Sequence, residues 1–102
     1  MCGDRVMTLH QLRIFESVAR HLNITRASKE LHMSQPAVSQ QLKILEGQFA
    51  KRLIVRTHHG VKLTEQGQAF LNAIRPIIEQ AERIEITFRI KSNAKKRVSS
   101  CG

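Results

Sequence analysis

The sequence predicts a mainly α chain, with three short helices, one small β-hairpin and a long C-terminal helix. Three observations carry this. Through the first half of the chain, apolar residues recur at three- and four-residue steps, the period of helices with one buried side. Two short aliphatic runs, Leu53 to Val55 and Val61 to Leu63, flank Arg56, Thr57, His58, His59 and Gly60, which is the layout of a hairpin with a basic tip. From Phe70 to Phe88 the apolar positions step by 4, 3, 4, 3 and 4, a heptad rhythm.

The 102 residues suffice for one small domain with a modest core, since 41% are hydrophobic. The expected division is a disordered polar lead over 1–7, a compact unit over 8–63, a long helix over 64–90 and a disordered basic tail over 91–102. Thr8 and Gln11 have the spacing of a capping box. Leu9, Leu12, Phe15, Ala19 and Leu22 then form one stripe of a helix ending near His21. That helix is core and backs the two that follow.

Asn23 and Ile24 are expected to make a short connection, with Thr25 capping the second helix. Ala27, Ser28 and Leu31 form its inner side, the small pair allowing another helix to cross close by. Arg26, Lys29 and Glu30 remain in solvent. His32 and Met33 turn the chain, Met33 inward, and Ser34 caps the third helix with Pro36 in its first turn, where a missing N–H costs nothing. Its open N–H groups suit a phosphate oxygen. Glu46 and Gly47 mark its expected end, followed by one further turn carrying Phe49, Ala50 and Leu53. In the hairpin, Gly60 supplies any positive φ the turn needs.

Thr64 caps the last helix, with Glu65 well placed in its first turn. Phe70, Ile74, Ile77, Ala81, Ile84 and Phe88 form its seam, broadened by Leu71 and Ile78. A domain this small has little room to bury a seam of that length. A second copy of the chain is the simplest partner, and intramolecular core is the alternative. Pro76 removes the hydrogen bond to the Asn72 carbonyl, so a bend is expected there.

The third helix has one side with no packing role. At about 100° per residue, Gln35, Ser39, Lys43, Pro36 and Gln40 fall within roughly 140° of arc. Val38, Leu42 and Leu45 lie on the other side. Held by its back, such a helix offers amides, a hydroxyl and an ammonium outward, the groups that read base edges in a major groove. The 17 Lys and Arg against 8 Asp and Glu give a net charge of +9, which favours a polyanionic partner. The reading half, Arg26 to Lys62, holds seven basic and two acidic residues. Arg26, Lys29, Arg56, His58, His59 and Lys62 are therefore candidate phosphate contacts, with solubility as their plain alternative. A hairpin beside such a helix would act as a wing on the sugar-phosphate backbone or the minor groove.

Other chemistry is not expected. Adjacent His58 and His59 lack a third ligand for a metal. Glu79, Glu82 and Glu85 are spaced as an exposed helix face, and no nucleophile, base and pocket assemble into a catalytic site. Neither a bilayer-spanning run nor a signal-peptide pattern is present, and there is no Trp to favour a membrane surface. Cys2 and Cys101 stand near opposite ends without zinc-ligand partners. Reduced thiols are expected, a bridge on oxidation being the alternative. A cytosolic location is expected, with no cofactor.

From Met7 to Phe88 the chain resembles the N-terminal domain of LysR-type transcriptional regulators. The stretches LHQLRIFESVARHLNITRASKELHMSQPAVSQQLKILE and RTHHGVKLTEQGQAFL carry the resemblance, and SQPAVSQQLKILE together with VKLTEQG makes it specific. It implies a winged helix-turn-helix with a long linker helix that pairs two subunits on an inverted-repeat operator in double-stranded DNA, and with it a bacterial, nucleoid-associated setting. Gln35, Pro36, Ser39, Gln40 and Lys43 match the recognition helix, Ser34 and Thr25 its phosphate-side and capping positions, and Arg56 and Lys62 the wing. The family usually has Ala at Ser28, Leu-Gly at Phe49 and Ala50, Phe at Ile54 and often Arg at His59. The His59 exchange makes that wing contact weaker and dependent on pH. The family's small-molecule effector domain is not expected on this chain, which is either an excised fragment or a short gene product. Sequence-specific DNA binding by a homodimer is the leading expectation. The alternative is an interaction protein, lacking an effector domain, that pairs through Phe70 to Phe88 with a full-length regulator and antagonises it. A non-specific basic protein coating nucleic acid is a third reading.

Overall fold

The computed structural model describes residues 7–95, and the side chains of residues 7–88. The expected disordered lead apart from Met7, the tail beyond Lys95, and both cysteines lie outside the described residues. The elements follow the order α1 (Leu9–His21), α2 (Ile24–Leu31), α3 (Gln35–Phe49), β1 (Ile54–Thr57), β2 (Gly60–Leu63) and α4 (Glu65–Lys95). The expected class, mainly α with three short helices, a hairpin and a long C-terminal helix, is the observed one.

The capping box at α1 is formed. Thr8 Oγ1 accepts from the Gln11 N–H at 3.1 Å and Gln11 Oε1 accepts from the Thr8 N–H at 3.1 Å. Leu12, Phe15 and Ala19 are buried as expected, but so are Ile14 and Val18, while Leu9 and Leu22 are exposed. The cause is position: α2, α3 and α4 all pack on α1, so it buries most of its circumference rather than one stripe. Leu22 lies beyond the helix, as its left-handed C-cap at φ 52.

Asn23, not Thr25, caps α2. Asn23 Oδ1 accepts from the Arg26 N–H at 2.9 Å, and the helix begins at Ile24. Asn is as good a cap as Thr, and taking it leaves no room for the two-residue connection that the sequence suggested. Thr25 instead sits in the first turn, where its carbonyl accepts from Ser28 Oγ at 2.8 Å. Ala27 and Ser28 are buried, and His32 at φ 57 ends the helix.

Ser34 caps α3, its Oγ accepting from the Ala37 N–H at 3.2 Å. The helix does not stop at Gly47 but runs to Phe49, with Ala50 left-handed at φ 53. A glycine inside a helix costs only about 1 kcal/mol. The extra turn brings Phe49 against Phe70, with ring centroids 5.4 Å apart, and that contact offsets the cost.

In the hairpin, Arg56 and Thr57 belong to β1, opposite Val61 and Gly60, so the tip is His58 and His59 alone. Gly60 has φ 135, and a Cβ there would run into the Leu22 carbonyl oxygen. That close approach lets the Val61 N–H donate to the same carbonyl at 3.2 Å, fastening the wing to the α1–α2 junction.

Thr64 Oγ1 accepts from the Gly67 N–H at 2.9 Å and donates to the Arg52 carbonyl at 2.6 Å, so it caps α4 while holding the approach to β1. The helix continues through Pro76 as far as Lys95, into the stretch expected as tail. Along it, Leu71, Ile74 and Ile78 join the core, and Phe70 meets Phe15 edge to face at 5.1 Å. Ile74, only 2% exposed, is therefore corrected from seam to intramolecular core, while Phe70 is half-buried and packs against that core. Further along the same stripe Ile77, Ile84 and Phe88 are 47%, 54% and 59% exposed. The stripe is continuous, but the globular part of the chain covers only its beginning.

Candidate nucleic-acid interface

Burial fixes which side of α3 faces outward. Val38, Leu42 and Leu45 are sunk in the core, while Gln35, Pro36, Gln40 and Lys43 are exposed and Ser39 is half-buried. A second anchor is polar: Gln11 Nε2 donates to Gln41 Oε1 at 3.3 Å, linking the first turn of α1 to the middle of α3. Apolar and polar side-chain contacts thus set the roll of α3 about its axis, and with it the direction in which its amides and hydroxyl point.

Two grooves meet on this face. The larger, about 750 Å3, runs between α3 and the wing and is lined by Pro36, Ser39, Gln40 and Lys43 on one wall and by Arg52 and Arg56 on the other. The smaller, about 370 Å3, lies between the wing tip and the start of α2 and brings together Thr25, Gln35, Arg56, His58 and His59. Arg56 borders both, and its Nη2 donates to Ser39 Oγ at 2.6 Å. Nine of the residues singled out from the sequence are thereby collected into one concave basic surface. Arg26, Lys29, Ser34 and Lys62 are exposed but line neither groove; Lys62 stands on β2 across from Val55.

Two contributors to this surface were not singled out from the sequence. Arg52 adds a cation to the groove wall. Glu46 places an anion there, yet its Oε2 is occupied, accepting from the N–H groups of Leu53 at 2.8 Å and Ile54 at 3.0 Å. A wheel extended past Lys43 would have found it, since Glu46 steps to about 20°, between Gln35 and Ser39. The signal was hidden because the helix was expected to end at that residue. The carboxylate ties α3 to the start of the wing, and those backbone dipoles partly offset its charge.

Behind α2 a polar cluster holds the helix to α1. Ser17 Oγ donates to Glu30 Oε1 at 2.7 Å, Arg20 reaches both Glu30 oxygens at 3.0 and 3.1 Å, and His21 Nε2 lies 2.9 Å from Oε1. These contacts, Ser17 first, lower the Glu30 carboxyl to a pKa of about 2. Arg20 also pairs with Glu16 at 3.0 Å, and hydrogen bonds to Glu16 and then Glu30 raise its pKa above the ordinary arginine value. Arg26 and Lys29 belong to the same helix as Glu30, but no described ion pair takes up their charge. Among the described residues no group of three or more His, Cys, Asp or Glu side chains is arranged to hold a metal ion, and no helix is long and apolar enough to cross a membrane.

On α4, Ile77, Ala81, Ile84 and Phe88 fall within roughly 60° of arc on a helical wheel. Glu85, to one side, pairs with Arg13 of α1 at 3.3 Å.

Residues 9–68 match the family described as "Bacterial regulatory helix-turn-helix protein, lysR family". Among curated proteins, the Hca operon transcriptional activator HcaR of Escherichia coli K12 is 43% identical over 83 residues, covering 81% of this chain and 28% of its own length. The glycine cleavage system transcriptional activator of the same organism is 38% identical over 94 residues, covering 92% of this chain and 30% of its own. The chain thus spans under a third of the length of these relatives. Among solved structures, a CbnR DBD–DNA complex superposes with a TM-score of 0.73 at 38% identity, over 84% of this chain and 99% of that one. A BenM DBD complex with catB site 1 DNA gives 0.72 at 32% identity, over 84% and 98%. With a family match across α1, α2, α3, the wing and the first turn of α4, this chain belongs to the lysR family of bacterial regulatory helix-turn-helix proteins.

Proposed function

We propose that this chain binds double-stranded DNA sequence-specifically, as the DNA-binding part of a transcriptional regulator in the bacterial cytoplasm, and that it is not an enzyme. The observation that carries the reading is the groove in which Ser39, Gln40 and Lys43 of α3 face Arg56 of the wing. In this reading α3 enters the major groove, where Gln35, Pro36, Ser39, Gln40 and Lys43 meet base edges. Thr25, Arg26, Lys29, Ser34, Arg56, His58, His59 and Lys62 meet sugar and phosphate, which fixes register and orientation. The net charge of +9 supplies the sequence-independent part of the affinity.

Two copies join through Ile77, Ala81, Ile84 and Phe88, so that two α3 helices address the two halves of an inverted repeat. The exposure of that apolar stripe supports a homodimer. The likeness to two domains crystallised with DNA supports the nucleic-acid partner. Relatives named as activators favour this reading over that of an antagonist of a longer regulator. The test is a selection from random duplexes at near-physiological salt. An enriched inverted repeat is expected, and a pool that returns without one would overturn the reading.

A further inference from the structure

We infer that Arg56 fixes the hydrogen-bonding polarity of Ser39, making that hydroxyl a donor toward DNA and so disfavouring cytosine at the one base it faces. The inference rests on the DNA-binding reading above and assigns the residue that sets part of its specificity.

A serine hydroxyl is ambiguous, because it carries one proton to donate and lone pairs to accept with. Facing a base edge, it can serve either an acceptor or a donor, and serine is accordingly a poor discriminator in the major groove. A guanidinium is not ambiguous. It has five N–H donors and no acceptor, so in the 2.6 Å contact between Arg56 Nη2 and Ser39 Oγ the serine must be the acceptor. The hydroxyl proton is then directed away from Arg56. The short charge-assisted bond draws electron density toward the guanidinium, strengthening the proton as a donor and weakening the remaining lone pair as an acceptor.

The surroundings favour persistence of this pair. Ser39 is half-buried in the second turn of α3, whose roll is set by Val38 and Leu42 on either side of its inner face. Arg56 lies in β1 opposite Val61, a buried residue whose N–H is fastened to the Leu22 carbonyl at 3.2 Å. Two residues before Arg56, the Ile54 N–H is held by Glu46, also of α3. Both ends of the contact are thus mounted on backbone that α3 and the α1–α2 junction hold in place.

In the major groove guanine, adenine and thymine each present an acceptor, at N7 or O6, N7, and O4 respectively, whereas cytosine presents its N4 amino donor. A hydroxyl with one lone pair committed to Arg56 and the other weakened therefore donates well to three bases and accepts poorly from the amino group of cytosine. Arg56 is a positioning residue for this discrimination, in addition to the phosphate contact proposed above.

The test is the same duplex selection run on the wild-type chain and on Ser39→Ala, Arg56→Met and the double variant, followed by competition binding with each base at the affected position. Ser39→Ala maps the base that Ser39 faces, as the position where preference flattens. In the wild type, cytosine there should bind about tenfold more weakly than the other bases. Arg56→Met should weaken binding to every duplex and, in addition, reduce the cytosine penalty to about twofold or less. The double variant should show no further change at that position. A uniform loss of affinity with the cytosine penalty intact would sink the inference and leave the DNA-binding reading standing, as would a wild type that accepts cytosine where Ser39 maps. A wild type that enriches no site at all would instead mark the failure of the underlying reading. Exposed Arg56 and half-buried Ser39 carry little of the core, and melting curves of the variants should lie within a few degrees of the wild type.

Discussion

One carboxylate oxygen of Glu46 lies 2.8 Å from the backbone nitrogen of Leu53, and it joins the end of α3 to the start of the wing. The same oxygen accepts from Ile54 at 3.0 Å. Glu46→Ala would leave the N–H groups of two buried residues, Leu53 and Ile54, without their acceptor. Hydrogen bonds to a charged group contribute about 1.5–3 kcal/mol, so the variant should lose about 2 kcal/mol in urea unfolding. Glu46→Gln keeps an acceptor oxygen and should lose about half of that. Equal stability of Glu46→Ala and the wild type would show that the wing is tied to the fold elsewhere.

Acid should act on the cluster behind α2. Glu30 has its folded pKa lowered from 4.5 to about 2, first by Ser17, then by Arg20 and His21. A carboxyl with a depressed folded pKa stabilises the fold above its unfolded pKa and loses that contribution as pH falls through the folded one. The window is therefore about pH 4.5 down to 2. Because Glu30 remains 43% exposed, solvent screening limits the effect to less than about 1 kcal/mol. Melting curves of Glu30→Gln and the wild type should differ slightly at pH 7 and converge toward pH 2. A difference independent of pH would contradict this account.

The first helix, the turn into α3 and the hairpin were legible in the sequence because each depends on local chemistry: the Thr8 and Gln11 box, the Ser34 cap with Pro36, the glycine at the wing. The outward side of α3 was legible for the same reason, since Val38, Leu42 and Leu45 leave only one side free. What was not legible depends on partners distant in sequence. Ile14 and Val18 are buried because three helices surround α1. Phe70 and Ile74 share the rhythm of Ile77 and Ile84, and periodicity alone does not say where the covering domain stops. Asn23 ranks only a little above Thr25 as a cap, and the choice between them follows from how α1 ends at Leu22.

That boundary along α4 yields a pair of opposite outcomes. Ile84→Asp places a charge on an exposed stripe, so the folded unit should retain its melting behaviour while the chain sediments as a monomer. Ile74→Ala opens a cavity in the core and should cost about 3 kcal/mol, with dimerisation impaired only through unfolding. If Ile84→Asp remained dimeric, the subunit contact would have to lie on another surface.

Gly67 carries a different constraint from Gly60. It is buried in the first turn of α4, where an added Cβ would run into the backbone carbonyl oxygen of Leu53. The Thr64 N–H donates to that same oxygen at 3.0 Å, so neither side can yield without loosening the junction between wing and helix. Gly67→Ala, which on helix propensity alone would gain about 1 kcal/mol, should instead destabilise by about 1–3 kcal/mol. Gly47, with open space where a Cβ would go, should follow propensity, and Gly47→Ala should be stabilising in the same thermal assay.

Lys62 and Gln35 separate affinity from preference. Lys62 stands exposed on β2 outside both grooves, and in its proposed role as a phosphate contact it would act on every sequence alike. Lys62→Ala should weaken selected and scrambled duplexes by the same factor and should reduce the slope of log affinity against log salt by about 0.9. Gln35 is exposed at the first position of α3 and borders the smaller groove, where a side-chain amide can pair with adenine through two hydrogen bonds worth about 1–3 kcal/mol of discrimination. Gln35→Ala should leave the salt slope unchanged and relax base choice at one position of each half-site. Binding titrations of both variants at three or more salt concentrations distinguish the two. A Lys62→Ala variant that altered base preference, or a Gln35→Ala variant that altered only the salt slope, would reverse the assigned roles of helix and wing.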